Sequence, residues 1–242
     1  MQRRNFLKNT ALASAVIAGS SYADVANAFA VSTSNENKLT PPKTGKIPVA
    51  FLISRGATMI DYAGPWEVFQ DVHVPSRGSD HADQMPFDLF TVSDTTETVV
   101  GSAGLKIVPN YTFENAPSPK VVVIPAQGGR SEAMFGWLAK VSRTADVVMS
   151  VCTGAFILAK AGMLDGKPAT THHDFIDRLA KEYPDIQIKR GLRFVEGQRI
   201  STAGGLTSGI DLALRVVERY FGREVAQTTA TYMEYQSDGW KV

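Results

Sequence analysis

Asp146-Val-Val-Met-Ser-Val151 runs without a break into Cys152-Thr-Gly-Ala-Phe-Ile-Leu-Ala-Lys-Ala161. The first stretch is apolar and β-branched, as expected of a strand buried on both faces. The second reads as a helix starting at Cys152. A strand that turns at once into a helix displays the junction side chain above the sheet, which is the geometry of a nucleophile elbow. Gly154 removes a side chain where that turn is tight, and Thr153 sets a hydroxyl beside the sulfur. The positive end of the helix macrodipole and its unpaired N–H groups are expected to favour thiolate over thiol. The competing reading is a buried cysteine serving as a small apolar residue.

The same grammar extends in both directions. Pro48-Val-Ala-Phe-Leu-Ile53, Phe87-Asp-Leu-Phe-Thr-Val92 and Lys120-Val-Val-Val-Ile-Pro125 read as further strands. Pro65 stands where a first helical residue belongs, ahead of an apolar stripe at Trp66, Val68, Phe69 and Val72. Residues 131–144 form a helix with Met134, Trp137, Leu138 and Val141 on one side. Beyond the cysteine come a helix over 174–183, short strands over 186–188, 192–194 and 199–202, and two closing helices over 208–221 and 224–236 broken at Gly222. No tandem repeat is visible. Strands alternating with helices imply one α/β domain over residues 47–242, a three-layer α/β/α sandwich with a mostly parallel, flavodoxin-like sheet. Reactive groups in such sheets gather beyond the carboxyl ends of the strands.

Composition agrees. The 242 residues are 44% hydrophobic and 20% charged, which excludes a disordered or collagenous chain. One cysteine permits neither an internal disulfide nor a cysteine-based zinc site. A formal charge of +1 argues against a nucleic-acid binder with a basic surface. Residues 1–30 read as an export address: Arg3-Arg4-Asn5-Phe6-Leu7-Lys8, a weakly apolar run, then small residues suited to cleavage near Ala28 or Ala30. The paired arginines resemble a twin-arginine signal, so the expected partner is the export machinery and the expected location the periplasm, with no membrane association once the signal is removed. The signal holds three cations against Asp24, so its removal takes the formal charge to about −1. Residues 31–46, rich in Ser, Thr, Asn and Pro, read as a flexible leader.

A thiol that does chemistry needs a proton partner. Asp61, in the loop read between the first strand and its helix, lies on the same rim as Cys152. Facing a thiolate it would have a raised pKa and could donate a proton; an ordinary capping or loop aspartate is the alternative. Glu67 is a second candidate. Gly128 and Gly129 follow the central strand, where backbone N–H groups could stabilise developing negative charge, or simply turn the chain. His172 and His173 could serve the cysteine as base or be structural. Metal binding by that pair is not expected, because adjacent side chains point apart and no third ligand is evident.

Three stretches carry a resemblance. Gly56-Ala-Thr-Met-Ile-Asp61-Tyr-Ala-Gly-Pro-Trp-Glu67-Val-Phe resembles the opening of the ThiJ/PfpI superfamily, the class I glutamine amidotransferase-like fold. The segment from Val151 to His172 is similar to that superfamily's nucleophile segment. Thr202-Ala-Gly-Gly-Leu-Thr-Ser-Gly-Ile-Asp211 and Ala230-Thr-Tyr-Met-Glu-Tyr235 resemble the closing helices of its isocyanide hydratase branch. That branch shares its fold with the ligand-binding half of certain AraC-type regulators, but a DNA-binding regulator is not expected, since the sequence up to Val242 offers no helix-turn-helix region. The resemblance implies that Cys152 attacks the terminal carbon of an isocyanide. Asp61 would then protonate the adduct and assist water, releasing an N-substituted formamide. Thr153, the Gly128 loop and the elbow amides, Gly154 included, would hold the intermediate. It further implies a small-molecule substrate, a homodimer, and no metal or organic cofactor. Two other readings keep the thiol: a glyoxalase- or deglycase-like enzyme using His172 or His173 as base, and a non-enzymatic redox or ligand sensor working through Cys152.

Overall fold

The computed structural model describes residues 37–242; the expected export signal and the first part of the leader lie outside them. In chain order the elements are β1 (Ile47–Leu52), α1 (Met59–Gln70), α2 (His81–Gln84), β2 (Phe87–Ser93), β3 (Val99–Val100), β4 (Lys106–Ile107), β5 (Tyr111–Thr112) and β6 (Val121–Ile124). They continue with α3 (Glu132–Val141), β7 (Val147–Ser150), α4 (Ala155–Lys160), β8 (Pro168–Ala169), α5 (Ile176–Glu182), β9 (Gln187–Ile188), β10 (Phe194–Val195), β11 (Ile200–Ala203), α6 (Ser208–Phe221) and α7 (Arg223–Tyr232).

Seven strands form one sheet in the order β10-β11-β7-β6-β1-β2-β5. Every pairing in it is parallel except that of β10 with β11. Alternation along the strands builds two cores. Val49, Phe51 and Ile53 of β1 and its end, with Val121, Val123, Val147 and Met149, face α1, α6 and α7. Ala50, Leu52, Val122, Ile124 and Val148 face the other way, against α3, α4 and α5. Strands apolar on both faces are what a parallel sheet covered by helices requires. The architecture is the expected α/β/α sandwich.

Four features differ from the sequence reading. Helix α1 begins at Met59, so Pro65 lies inside it and Asp61 sits in its first turn rather than in a loop. Proline there withdraws the donor that would bond the Asp61 carbonyl, and packing overrides that loss. A Cβ on Gly64 would stand 2.8 Å from Ile210 Cγ1, and the Pro65 ring lies 3.3 Å from the Cβ position of Gly209, so α1 and α6 meet at two glycines. Second, Cys152–Gly154 is a single 3-10 turn, and α4 starts only at Ala155. Third, the β3–β4 ribbon, strand β8 and the edge strand β5 are additional, and the strand expected over 186–188 pairs with β8 as β9 rather than joining the main sheet; two-residue pairings leave little periodic trace in sequence. Fourth, the described end of the leader is docked. Leu39 N donates to Arg219 O at 2.8 Å, and Arg219 Nε donates to Asn37 O at 2.7 Å.

Candidate active site

Four adjacent strands, β1, β6, β7 and β11, deliver their carboxyl ends to one place. Strand β7 ends at Ser150, and Cys152 follows Val151 with φ 57°. A non-glycine residue in that region costs about 1–2 kcal/mol and persists only where its surroundings hold it. Here they do. Cys152 N donates to Gly204 O at 2.8 Å, and Thr171 Oγ1 donates to Cys152 O at 2.7 Å. Gly154 N closes the turn on Val151 O at 3.0 Å. A Cβ on Gly154 would stand 2.2 Å from Ile124 O, so the elbow rests directly on the end of β6.

Asp61 is fully buried in the first turn of α1. Its Oδ2 accepts from Ala126 N, just past β6, at 3.0 Å. Oδ1 is buried without a partner of full hydrogen-bond geometry. The carboxylate is nonetheless favoured by the Leu206 N–H and by the Cys152 thiol, besides Ala126 N. Burial outweighs these three and pushes the Asp61 pKa up to about 6. Cys152 is 7% exposed. Burial first, then the Asp61 charge, push its thiol up to about 11, against the Thr153 and Leu206 amides and the Thr153 hydroxyl. The expected helix-stabilised thiolate is therefore not what the resting site holds at neutral pH. Helix α4 has only six residues and follows a 3-10 turn, and its dipole loses to desolvation and a neighbouring carboxylate. The pair rests as thiol and carboxylate, and the proton can pass from sulfur to oxygen.

The buried carboxylate leaves a mark on stability. Native Asp61 keeps its proton up to about pH 6, whereas the unfolded chain releases it near 3.8. Between those values the folded state binds more protons, so stability falls as pH rises through the window, by roughly 2–3 kcal/mol. Asp61→Asn removes the ionisation and keeps an acceptor for Ala126 N. Thermal melts should show that variant more stable than wild type at pH 7.5, with the gap closing by pH 4. A constant gap across that range would contradict the assignment of the shift to Asp61.

The remaining candidates divide. Thr153 acts on the sulfur through both its amide and its hydroxyl, as expected. Gly128 and Gly129 do not offer free amides: Gly128 N donates to Arg55 O at 2.8 Å and Gly129 N to Ser54 Oγ at 3.1 Å. With Gln127 Oε1 accepting from Ser54 N at 2.6 Å, these bonds tie the loop after β6 to the loop after β1. The loop thereby positions Asp61 through Ala126. The Gly154 amide, expected to meet charge, is likewise spent, on Val151 O, and of the elbow amides it is that of Thr153 that acts on the sulfur. Glu67 lies on the exposed face of α1 and pairs with Gln70 Nε2 at 3.1 Å. Neither histidine is hydrogen-bonded to Cys152, and neither is among the groups acting on its acidity. Instead the two rings stack at 4.4 Å with 26° between planes, and Asp174 joins them. The expectation that they point apart fails because residues 173–175 form a 3-10 turn, not a strand.

Sequence reasoning missed Ala126, Thr171 and Leu206. The last carries φ 53° and turns its N–H toward the thiol–carboxyl pair. Only Gly204-Gly205 before it signalled an unusual loop. Residues Gly204 to Leu206 also wall a cleft of about 580 Å³, shared with Thr171, His172 and Arg193; Cys152 and Asp61 do not line it.

Residues 48–219 match the DJ-1/PfpI family. The chain belongs to the DJ-1/PfpI family. Within it, the isonitrile hydratase of Pseudomonas putida is 30% identical over 197 residues, 78% of each chain. The HTH-type transcriptional regulator CdhR of Pseudomonas aeruginosa is 37% identical over 94 residues, which make up 39% of this chain and 28% of that protein. Among solved structures, a ThiJ/PfpI family protein from Pseudomonas syringae superposes with a TM-score of 0.69 at 27% identity, covering 82% of this chain and 78% of its own. A DJ-1/PfpI fold thus carries the thiol, the carboxyl and the two amides described above.

Proposed function

We propose that this DJ-1/PfpI protein is a cofactor-free, cysteine-dependent hydratase that converts isocyanides to N-substituted formamides. The observation that carries the reading is the buried Cys152–Asp61 pair, thiol against carboxylate, with the Thr153 and Leu206 amides acting on the sulfur and no histidine beside it. The likeness to an isonitrile hydratase along most of both chains supports it.

The chemistry follows from that pair. Asp61 takes the thiol proton as sulfur bonds to the terminal carbon of R–N≡C, and the electron pair displaced toward that carbon is protonated by Asp61. A thioimidate, R–N=CH–S–Cys152, results. Water adds to its carbon, and the proton it gives up passes through Asp61 to nitrogen. Collapse of R–NH–CH(OH)–S–Cys152 expels sulfur, the hydroxyl proton passes through Asp61 to that sulfur, and R–NH–CHO leaves with Asp61 again a carboxylate. The two amides meet the charge on sulfur as it attacks and again as it is expelled. A cysteine only 7% exposed suits a slender, terminal electrophile better than a peptide carbonyl flanked on both sides.

The rival readings lose support at the same point. A glyoxalase-like route needs a histidine at the sulfur. A redox sensor needs an exposed, acidic thiol, while burial and Asp61 hold this one up at about 11. We further propose that the enzyme works in the periplasm as a homodimer, after cleavage near Ala28 or Ala30.

The test is direct. Purified protein is incubated with an alkyl or aryl isocyanide and the product followed by proton NMR. A formamide proton supports the reading; turnover of methylglyoxal without turnover of isocyanide overturns it. Because Asp61 must be ionised to take the proton, kcat/KM should rise with pH through about 6 and then level off. An acid limb that survives Asp61→Asn with residual activity would assign it to another group.

A further inference from the structure

We propose that His172, His173 and Asp174 form a binding site for a borderline divalent transition cation, zinc or copper(II), on the wall of the cleft beside the Gly204–Leu206 loop. The proposal does not depend on the hydratase reading, since none of the three touches the sulfur. Each residue offers one donor atom, and the three atoms lie within 4.8 Å of one another. Three donors around a zinc ion stand roughly 3–3.5 Å apart, given bonds of about 2.0–2.2 Å. Small rotations of His173 and Asp174, both exposed, close that difference.

The site is built rather than accidental in two respects. The His172 ring is held against backbone: a Cβ on Gly205 would stand 2.1 Å from its Cδ2, so only glycine admits the imidazole there. Stacking of His173 on its face fixes it further. Its Nδ1 accepts from Asp174 N at 3.2 Å and lies 3.7 Å from the Asp174 carboxylate. That ring nitrogen therefore carries a lone pair, engaged by the Asp174 N–H, and an incoming ion would displace this hydrogen bond to take it. His173 Nε2 lies 3.1 Å from Asp174 Oδ1. Two imidazoles and one carboxylate suit zinc or copper(II) over calcium or magnesium, which prefer all-oxygen shells. Three protein ligands leave at least one coordination position open. His172 and His173 line the cleft.

The four histidines of the chain fall into two pairs, which supplies an internal control. His73 and His81 have ring centroids 5.7 Å apart, and no carboxylate completes that pair among the described residues. The experiment is calorimetric titration of the purified full chain with zinc chloride, for wild type, His173→Ala, Asp174→Asn, His81→Ala and Cys152→Ser. Wild type, His81→Ala and Cys152→Ser should each bind one equivalent with the same affinity. His173→Ala and Asp174→Asn should bind at least about 100-fold more weakly, because even outer partners of metal ligands are worth roughly 10- to 100-fold. Both residues are exposed, so their melting temperatures should match wild type in the absence of zinc. Wild type that takes up no zinc overturns the site. So does affinity unchanged in His173→Ala and Asp174→Asn, or lost in Cys152→Ser, which would move the ion to the thiol.

Discussion

Cys152→Ala is expected to abolish formamide formation, and Asp61→Asn to lower kcat/KM by at least about three orders of magnitude. The first removes the atom that bonds to carbon. The second leaves the thiol at its post with nothing to take its proton, at a site where burial already opposes the thiolate. KM should change little in Asp61→Asn, because the carboxylate faces sulfur and backbone amides, not the cleft. The two groups act as one unit, so the double variant should be no slower than the worse single one. A destabilised fold cannot explain the Asp61→Asn loss, since that substitution is expected to raise the melting temperature at neutral pH. An inactive protein more stable than its parent is the signature of a carboxylate kept buried for chemistry. Formamide production above about a tenth of wild type in Cys152→Ala would remove the thiol from the mechanism.

The sheet was legible where physics is repetitive. Strands β1, β6 and β7 announce themselves because both faces are covered, which forces runs such as Val121-Val-Val-Ile124. Cys152 and Asp61 stood out because each follows such a run. The acidity of the thiol was misjudged for a physical reason: a helix terminus favours an anion, but the sequence does not say how much water the sulfur keeps. Gly128 and Gly129 were misassigned because their amides are satisfied by Arg55 and Ser54, from a loop distant in the chain. Leu206 and Ala126 were invisible since they act through backbone N–H groups, and any residue type has one. The stacking of His172 on His173 depends on a local 3-10 turn that two adjacent histidines do not announce in sequence.

Gly154→Ala should destabilise the fold by at least about 3 kcal/mol, a fall in melting temperature of roughly 10 °C or insoluble expression. The added methyl would stand 2.2 Å from Ile124 O and 3.0 Å from Pro125 O, both backbone atoms that no side-chain rotation can move aside. Ile124 O is already engaged as acceptor for Val151 N at 2.9 Å, so displacing it breaks the β6–β7 ladder where the elbow begins. The turn would have to swing away from β6, taking Cys152 from the Asp61 that Ala126, two residues past Ile124, holds in place. Activity should therefore vanish even in whatever fraction stays folded. Gly136→Ala is the matched control. It lies exposed inside α3 with nothing within 4 Å of its Cβ position, so alanine should stabilise the helix by about 0.5–1 kcal/mol. If Gly154→Ala melts within about 2 °C of wild type, the contact between the elbow and the end of β6 is not what holds the sulfur in place.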